Sequence, residues 1–227
     1  MIQMQTNPVV LLIAQSDLMT KIVLLILLFL SIFSWALFLY KLVIGAIKRR
    51  QMARILHALK VAHTIDEIAS VASIHAHTLP GVLMTKNLSV LKSLLESRQT
   101  YSVLSDRELE LLENNLEQTI DEAIATEESF LPFFAATAAV SPLLGLFGTV
   151  WGLIHSFVRI AEKQQADIPT IAPGIAEALI TTLAGLMVAI PALMMFHYLN
   201  TRVRSLEYLL LRLADKFSWS INTLFIK

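Results

Sequence analysis

The chain has 227 residues, with 18 basic and 18 acidic side chains, so its formal net charge is zero and no overall basic field exists to attract nucleic acid. With 56% hydrophobic residues, only 16% charged ones and a mean hydropathy of +0.65, its composition is that of an integral membrane protein. The absence of cysteine excludes disulfides, thiolate metal sites, iron–sulfur clusters and cysteine nucleophiles.

The first apolar run, Ile22 to Tyr40, is bounded by Lys21 and Lys41 and is long enough to cross a bilayer. Together with its flanks it defines a first span over 21–44. Met1–Ser16 carries no positive charge and no small-x-small cleavage pattern follows the run, so it reads as an uncleaved signal-anchor. Lys41, Lys48, Arg49 and Arg50 crowd its C-terminal end. The positive-inside rule therefore places the N-terminal segment 1–20 outside, in the periplasm, and residues 45–128 in the cytoplasm.

The cytoplasmic stretch reads as a helical domain. Thr64-Ile65-Asp66-Glu67 and Ser105-Asp106-Arg107-Glu108 fit the capping-box pattern of helix starts, and Thr78-Leu79-Pro80-Gly81 reads as a turn. Beyond Ser105, apolar residues at Leu109, Leu112, Leu116, Ile120 and Ala123 keep helical spacing. No proline intervenes before Pro132, which predicts a helix running unbroken into the second span. His57, His63, His75 and His77 fall in this region, and His75-Ala76-His77 has no acidic or cysteine partner, so no metal site is expected.

The second span, 129–159, contains a charge-free segment from Phe130 to Val158 that would rise roughly 43 Å as a helix. Within it, Gly145, Gly148 and Gly152 clear one face for close approach and leave the hydroxyl of Thr149 beside them. A short loop over 160–170 leads to the third span, 171–200, where Gly174, Ala178, Thr182, Gly185, Ala189 and Ala192 share a face and Pro191 is expected to kink the helix. Arg202 and Arg204 place the C-terminal helix, 201–227, back in the cytoplasm, with a stripe at Leu206, Leu210, Leu213, Phe217 and Ile221. The fold class is thus an all-α integral membrane protein with three transmembrane helices, the second and third extended into the cytoplasm as long helices.

The short loop makes the last two spans an antiparallel hairpin. Counted from its outer end, Thr149 lies about 15 Å deep and Thr182 about 18 Å, so the two hydroxyls share a level. They are either a polar lining for protons or water, or interhelical glue that bonds back to backbone carbonyls. Thr181, next to Thr182, competes for the same role. Glu177 is the acid inside the third span, about 10 Å from its outer end, either functional or reaching the interface. His155 and His197 sit near opposite ends of their helices and cannot pair as a metal site. No nucleophile–base set, P-loop or dinucleotide fingerprint occurs, which argues against an enzyme and against a bound cofactor. The middle of all three spans lacks Asp, Glu and Lys, so the chain offers no titrating carboxylate or amine at mid-depth.

Gly145-Leu146-Phe147-Gly148-Thr149-Val150-Trp151-Gly152 and Ala172-Pro173-Gly174-Ile175-Ala176-Glu177-Ala178-Leu179 resemble the TolQ/ExbB/MotA family of proton-channel subunits. Gly185-Leu186 and Ala189-Ile190-Pro191-Ala192 extend the resemblance, which covers residues 130–205. Ser141-Pro142, His155 and Leu199-Asn200-Thr201-Arg202-Val203 resemble the TolQ branch more than the ExbB branch, and the MotA branch has four spans where this chain shows three. The resemblance implies a location in the inner membrane of a Gram-negative bacterium. It also implies a homo-oligomer, a pentamer, around the helices of a dimeric single-span TolR-like partner, working with a TolA-like protein in a Tol-Pal motor of cell division. By the same resemblance Thr149 and Thr182 are pore threonines and Glu177 is the family glutamate. The titrating carboxylate would be an aspartate on the partner's helix, and the glycine and alanine faces would leave the central helices room to rotate. The alternatives are an ExbB-like subunit energising TonB-dependent import, or a passive membrane scaffold. A secondary transporter is disfavoured because the chain has no inverted repeat.

Overall fold

Asp17 stands at the start of the first helix, where its carbonyl accepts from the backbone N–H of Lys21 at 3.1 Å. The structure, a computed structural model, describes residues 17–61, 64–96, 105–163 and 168–225. These form helices α1 (Leu18–Val61), α2 (Ile65–Ile74), α3 (Leu79–Glu96), α4 (Asp106–Glu128), α5 (Leu131–Lys163) and α6 (Ile168–Phe225), with no strand among the described residues. Among the described residues, three segments are long and apolar enough to cross a membrane: Leu18–Leu59, Arg107–Ala161 and Ala172–Ile221. The first-span helix is itself 44 residues long, so it too continues well past its apolar run.

Three local features differ from the sequence-based expectation: the join of α4 to α5, the loop over 160–170 and the turn before α3. The helix begun after Ser105 ends at Glu128, and α5 starts at Leu131 after a two-residue turn. Pro132 explains the break, since it has no N–H for the Glu128 carbonyl and its ring crowds that carbonyl, whereas the first turn of a helix tolerates proline. The loop expected over 160–170 is mostly helix, because α5 runs to Lys163 and α6 starts at Ile168. Helix α6 passes through both Pro173 and Pro191 without ending, for 58 residues. Finally, the turn lies at residues 75–78, and Leu79-Pro80-Gly81 opens α3. Thr78 caps that helix, its Oγ1 accepting from the Gly81 N–H at 3.2 Å. Both capping motifs form contacts. Thr64 and Glu67 exchange bonds of 3.3 Å, and the Glu108 carboxylate accepts the backbone N–H and hydroxyl of Ser105. His63 lies outside the described residues.

The helices fall into two compact units. One comprises the chain up to Leu39 with Leu131–Tyr198, the other Tyr40–Phe130 with Leu199–Lys227. The first unit is packed as lipid requires. Leu25, Leu28, Phe29 and Ile32 of α1, Leu143 and Ile154 of α5, and Leu183 and Met187 of α6 all point outward, while Ala178, Ala189 and Ala192 are buried. Phe33 and Phe133 meet edge to face at 4.9 Å, and Phe38 and Tyr198 at 5.9 Å, which ties α1 to α5 and α6.

The second unit buries an apolar core. Met52, Ile55 and Leu59 of α1 are buried, as are Ile68, Ala72, Leu83, Met84 and Leu91 of α2 and α3. The predicted stripes supply the rest, Leu112, Leu116 and Ile120 from α4 and Leu210, Leu213, Phe217 and Ile221 from α6. Glu127 is a largely buried carboxylate shared by Lys48, which hydrogen-bonds it, and Lys41, at 3.8 Å. The Lys41 ammonium also sits 3.9 Å over the Phe130 ring.

The turn at 75–78 passes so close to Gly81 that a Cβ there would fall 1.8 Å from the His75 carbonyl oxygen, a backbone atom that cannot swing away. Gly81→Ala should therefore destabilise the protein by about 1–3 kcal/mol, read as a lower midpoint of thermal unfolding in mild detergent. Ala69→Gly, on the exposed face of α2, should cost no more than about 1 kcal/mol.

Candidate functional site

The hairpin contact between α5 and α6 is built from absent side chains. A Cβ on Gly145 would lie 2.9 Å from the Thr181 carbonyl oxygen and 3.0 Å from the Thr182 Cα. One on Gly148 would meet Thr181 Oγ1 at 2.7 Å, and one on Gly152 would meet the Ala178 Cβ at 3.2 Å. From the other helix, a Cβ on Gly185 would lie 2.6 Å from the Ser141 carbonyl oxygen, and one on Gly174 2.0 Å from Ser156 Oγ. The pairs descend one helix as they ascend the other, an antiparallel register in which Gly145 and Gly185 lie against backbone and Gly148, Gly152 and Gly174 against small side chains. The glycine face is thus taken up by the chain's own hairpin.

Besides Ser156, three threonine hydroxyls sit in that contact. Thr149 and Thr182 hydrogen-bond each other across it. Thr149 Oγ1 also reaches the carbonyl oxygens of Gly145 and Ala178, each at 3.0 Å. Thr181 donates to the Ala178 carbonyl at 2.7 Å and lies 3.2 Å from that of Gly145, with Thr182 Oγ1 3.5 Å from the same Gly145 oxygen. Thr181 is completely buried, whereas Thr149 and Thr182 are half-buried. Of the two adjacent threonines, then, Thr181 faces the interior of the hairpin and Thr182 retains an open side. Pro191, two turns beyond Gly185 on the same helix, is half-buried.

A second polar group sits at the Asp17 end of the same unit. The Trp151 indole N–H donates to the Asp17 carboxylate at 2.9 Å. Glu177, 9% exposed, is buried on α6 beside Ala178, which packs against Gly152. Among the described residues no hydrogen bond joins Glu177 to Thr149, Thr181 or Thr182, although Thr149 reaches the carbonyl of the adjacent Ala178.

The profile of the MotA/TolQ/ExbB proton channel family matches residues 85–210, more than half of the chain. The chain belongs to that family. The Tol-Pal system protein TolQ of Haemophilus influenzae is 46% identical over 95 residues, 42% of this chain and 42% of that protein. The TolQ of Pseudomonas aeruginosa is 48% identical over 90 residues, covering 40% and 39% of the two chains. The biopolymer transport protein ExbB of Salmonella typhimurium is 31% identical over 191 residues, 84% of this chain and 76% of that one. The aligned stretch spans about two fifths of the length of the two TolQ relatives.

Among the described residues of this MotA/TolQ/ExbB family member, no three His, Asp or Glu side chains are grouped as a metal site would require. The Asp17–Trp151 bond has no signature in the sequence pattern, since its partners stand 134 residues apart. The hint available was an acid at the outer edge of the first span and a tryptophan near the outer end of the second.

The Asp17 carboxyl is held below its ordinary range, first by the Trp151 N–H, with the Leu18 and Met19 amides adding to it and partial burial opposing. A depressed value means that the contact contributes stability above the ordinary aspartate range and loses it as pH falls through the lowered one. With Trp35 and Trp219 replaced by phenylalanine, Trp151 emission should change with a midpoint below about pH 4, and Asp17→Asn should abolish that transition. At the hairpin, Gly185→Ala should destabilise by about 1–3 kcal/mol because its Cβ would strike backbone. Gly45→Ala, where a Cβ meets nothing within 4 Å, should be neutral or stabilising by up to about 1 kcal/mol. Thermal unfolding in detergent reads both.

Proposed function

We propose that the chain is the channel-forming subunit of a Tol-Pal motor driven by proton-motive force. Its N-terminus lies in the periplasm and its C-terminus in the cytoplasm, in the inner membrane of a Gram-negative bacterium. Five copies surround the helices of a dimeric TolR-like single-span partner. Protons pass between the two proteins and drive movement that a TolA-like protein carries to the outer membrane for constriction during division.

The observation that carries this reading is the Thr149–Thr182 hydroxyl pair, half-buried in a stretch of both helices that holds no Asp, Glu or Lys. Hydroxyls with an open side hold water or a partner's acid in place, but they do not titrate, so the proton-carrying carboxylate comes from the partner. Glu177, at the outer level, serves as the acid at the entrance. Identity to the two TolQ proteins at 46–48% supports the Tol-Pal assignment. A second reading, the ExbB role in TonB-dependent import, is favoured by the longer alignment to ExbB, which covers 84% of this chain.

The doubly substituted Thr149→Val, Thr182→Val chain should still assemble with its partner, because the glycine contacts remain. Proton flux through the complex should fall at least about tenfold, the loss of about 1.4 kcal/mol of barrier stabilisation, and envelope integrity should fail. Full flux and an intact envelope in an assembled double variant would overturn the role given to the two hydroxyls. Deleting the gene should leave cells chained and leaky, whereas a defect confined to outer-membrane import would move the assignment to ExbB.

A further inference from the structure

A groove of about 440 Å³ runs between α4 and the C-terminal part of α6 in the second unit. Leu116 and Phe217 line it deep in the core, and Trp219 stands on its edge, 71% exposed. Its rim is acidic: Glu113 and Glu117 of α4 and Asp215 of α6, all exposed. Asp121, also exposed, continues the α4 row at four-residue spacing. Among the described residues none of these four carboxylates has an ion-pair partner.

The same unit carries the complementary row on α1. Arg50, Arg54 and His57 are exposed at steps of four and three, which puts them on one face, and no ion pair engages either arginine. A membrane fixes the depth of every copy, so the two rows meet between copies only if their levels agree. Glu127 sets the level, because Lys41 and Lys48 both reach it and it therefore lies opposite the middle of that stretch of α1. From there Arg54 is about 14 Å further along α1, and Glu117 about 15 Å further along α4. Arg50 falls level with Asp121 and His57 with Glu113 by the same count. Both rows descend together, basic on one and acidic on the other.

We propose that the acidic α4–α6 groove takes the α1 row of a second copy of this chain, with Arg54 against Glu117 at its centre. The two surfaces are different patches, so the contact is heterologous and repeats head to tail. Copies in one membrane share one orientation, so the repeat closes about an axis along the membrane normal into a ring. The inference rests on the ring proposed above and names the surface that holds it together.

The chain has no cysteine, which makes the test direct. Two differently tagged copies, one Arg54→Cys and the other Glu117→Cys, are produced together in membranes with the partner protein and oxidised. A disulfide-linked pair carrying both tags is expected, with at least about tenfold less cross-linking when either variant is produced alone. As a check that needs no cysteine, Glu117→Arg should weaken association of the assembled complex, and Arg54→Glu in the same chain should restore it. No mixed cross-link in an oligomer of native mass overturns this interface and leaves the ring standing. A monomeric wild-type chain overturns both. Capture of Glu117→Cys by a single-span protein in place of the second copy gives the groove to that partner and overturns the proposal.

Discussion

Lipid gives two helices no hydrophobic reason to meet, so α5 and α6 hold together by what their backbones touch. Every other feature of the first unit follows from that constraint. Gly145, Gly148, Gly152, Gly174 and Gly185 are spaced so that each presents bare backbone to the opposite helix, and a methyl at any of them would sit at 2.0–3.2 Å from its neighbour. The approach is close enough for side chains of one helix to reach carbonyls of the other. That is why Thr149 reaches the carbonyl of Ala178, and Thr181 that of Gly145. With the interior filled by glycine, alanine and hydroxyls, the large side chains have nowhere to go but outward, into lipid.

The chain obeys a different rule in its second unit, where Met52, Leu83, Leu116 and Phe217 turn inward away from water. Helices α1 and α6 contribute to both units, so a single helix changes which kind of residue it buries along its length. Glu127, largely buried and shared by Lys41 and Lys48, stands close to the end of the second unit's run on α4. A buried carboxylate between two ammonium groups adds little net stability against an apolar alternative, but it fixes register, because losing it would strand two charges.

Much of this was legible in the sequence because helical spacing is a one-dimensional signal. The stripe from Leu112 to Ile120 and that from Leu210 to Ile221 were read from period alone and are buried as read. The level shared by Thr149 and Thr182 came from counting rise per residue, and the two are in contact. What counting does not give is azimuth. It could not separate Thr181 from Thr182, which differ by one residue and by the difference between complete burial and an open side. It also missed the break at Ser129–Phe130 and the start of α3 at Leu79. In both, the position of a proline within a helix's first turn decides the outcome, and proline was read there as punctuation. The Asp17–Trp151 bond joins distant segments through one indole nitrogen, and no periodicity encodes it.

The three threonines have a directional consequence. Each hydroxyl has one proton: when Thr149 and Thr181 give theirs to carbonyls at 3.0 Å or less, Thr182 donates to Thr149 and all three are engaged within the hairpin. The capacity left over is lone pairs alone. Toward anything that approaches from the open side, this cluster is therefore a base of hydrogen bonding with no acid to offer. In that arrangement its lone pairs suit a group that brings its own proton, such as a neutral carboxylic acid, better than a bare carboxylate, which needs a donor.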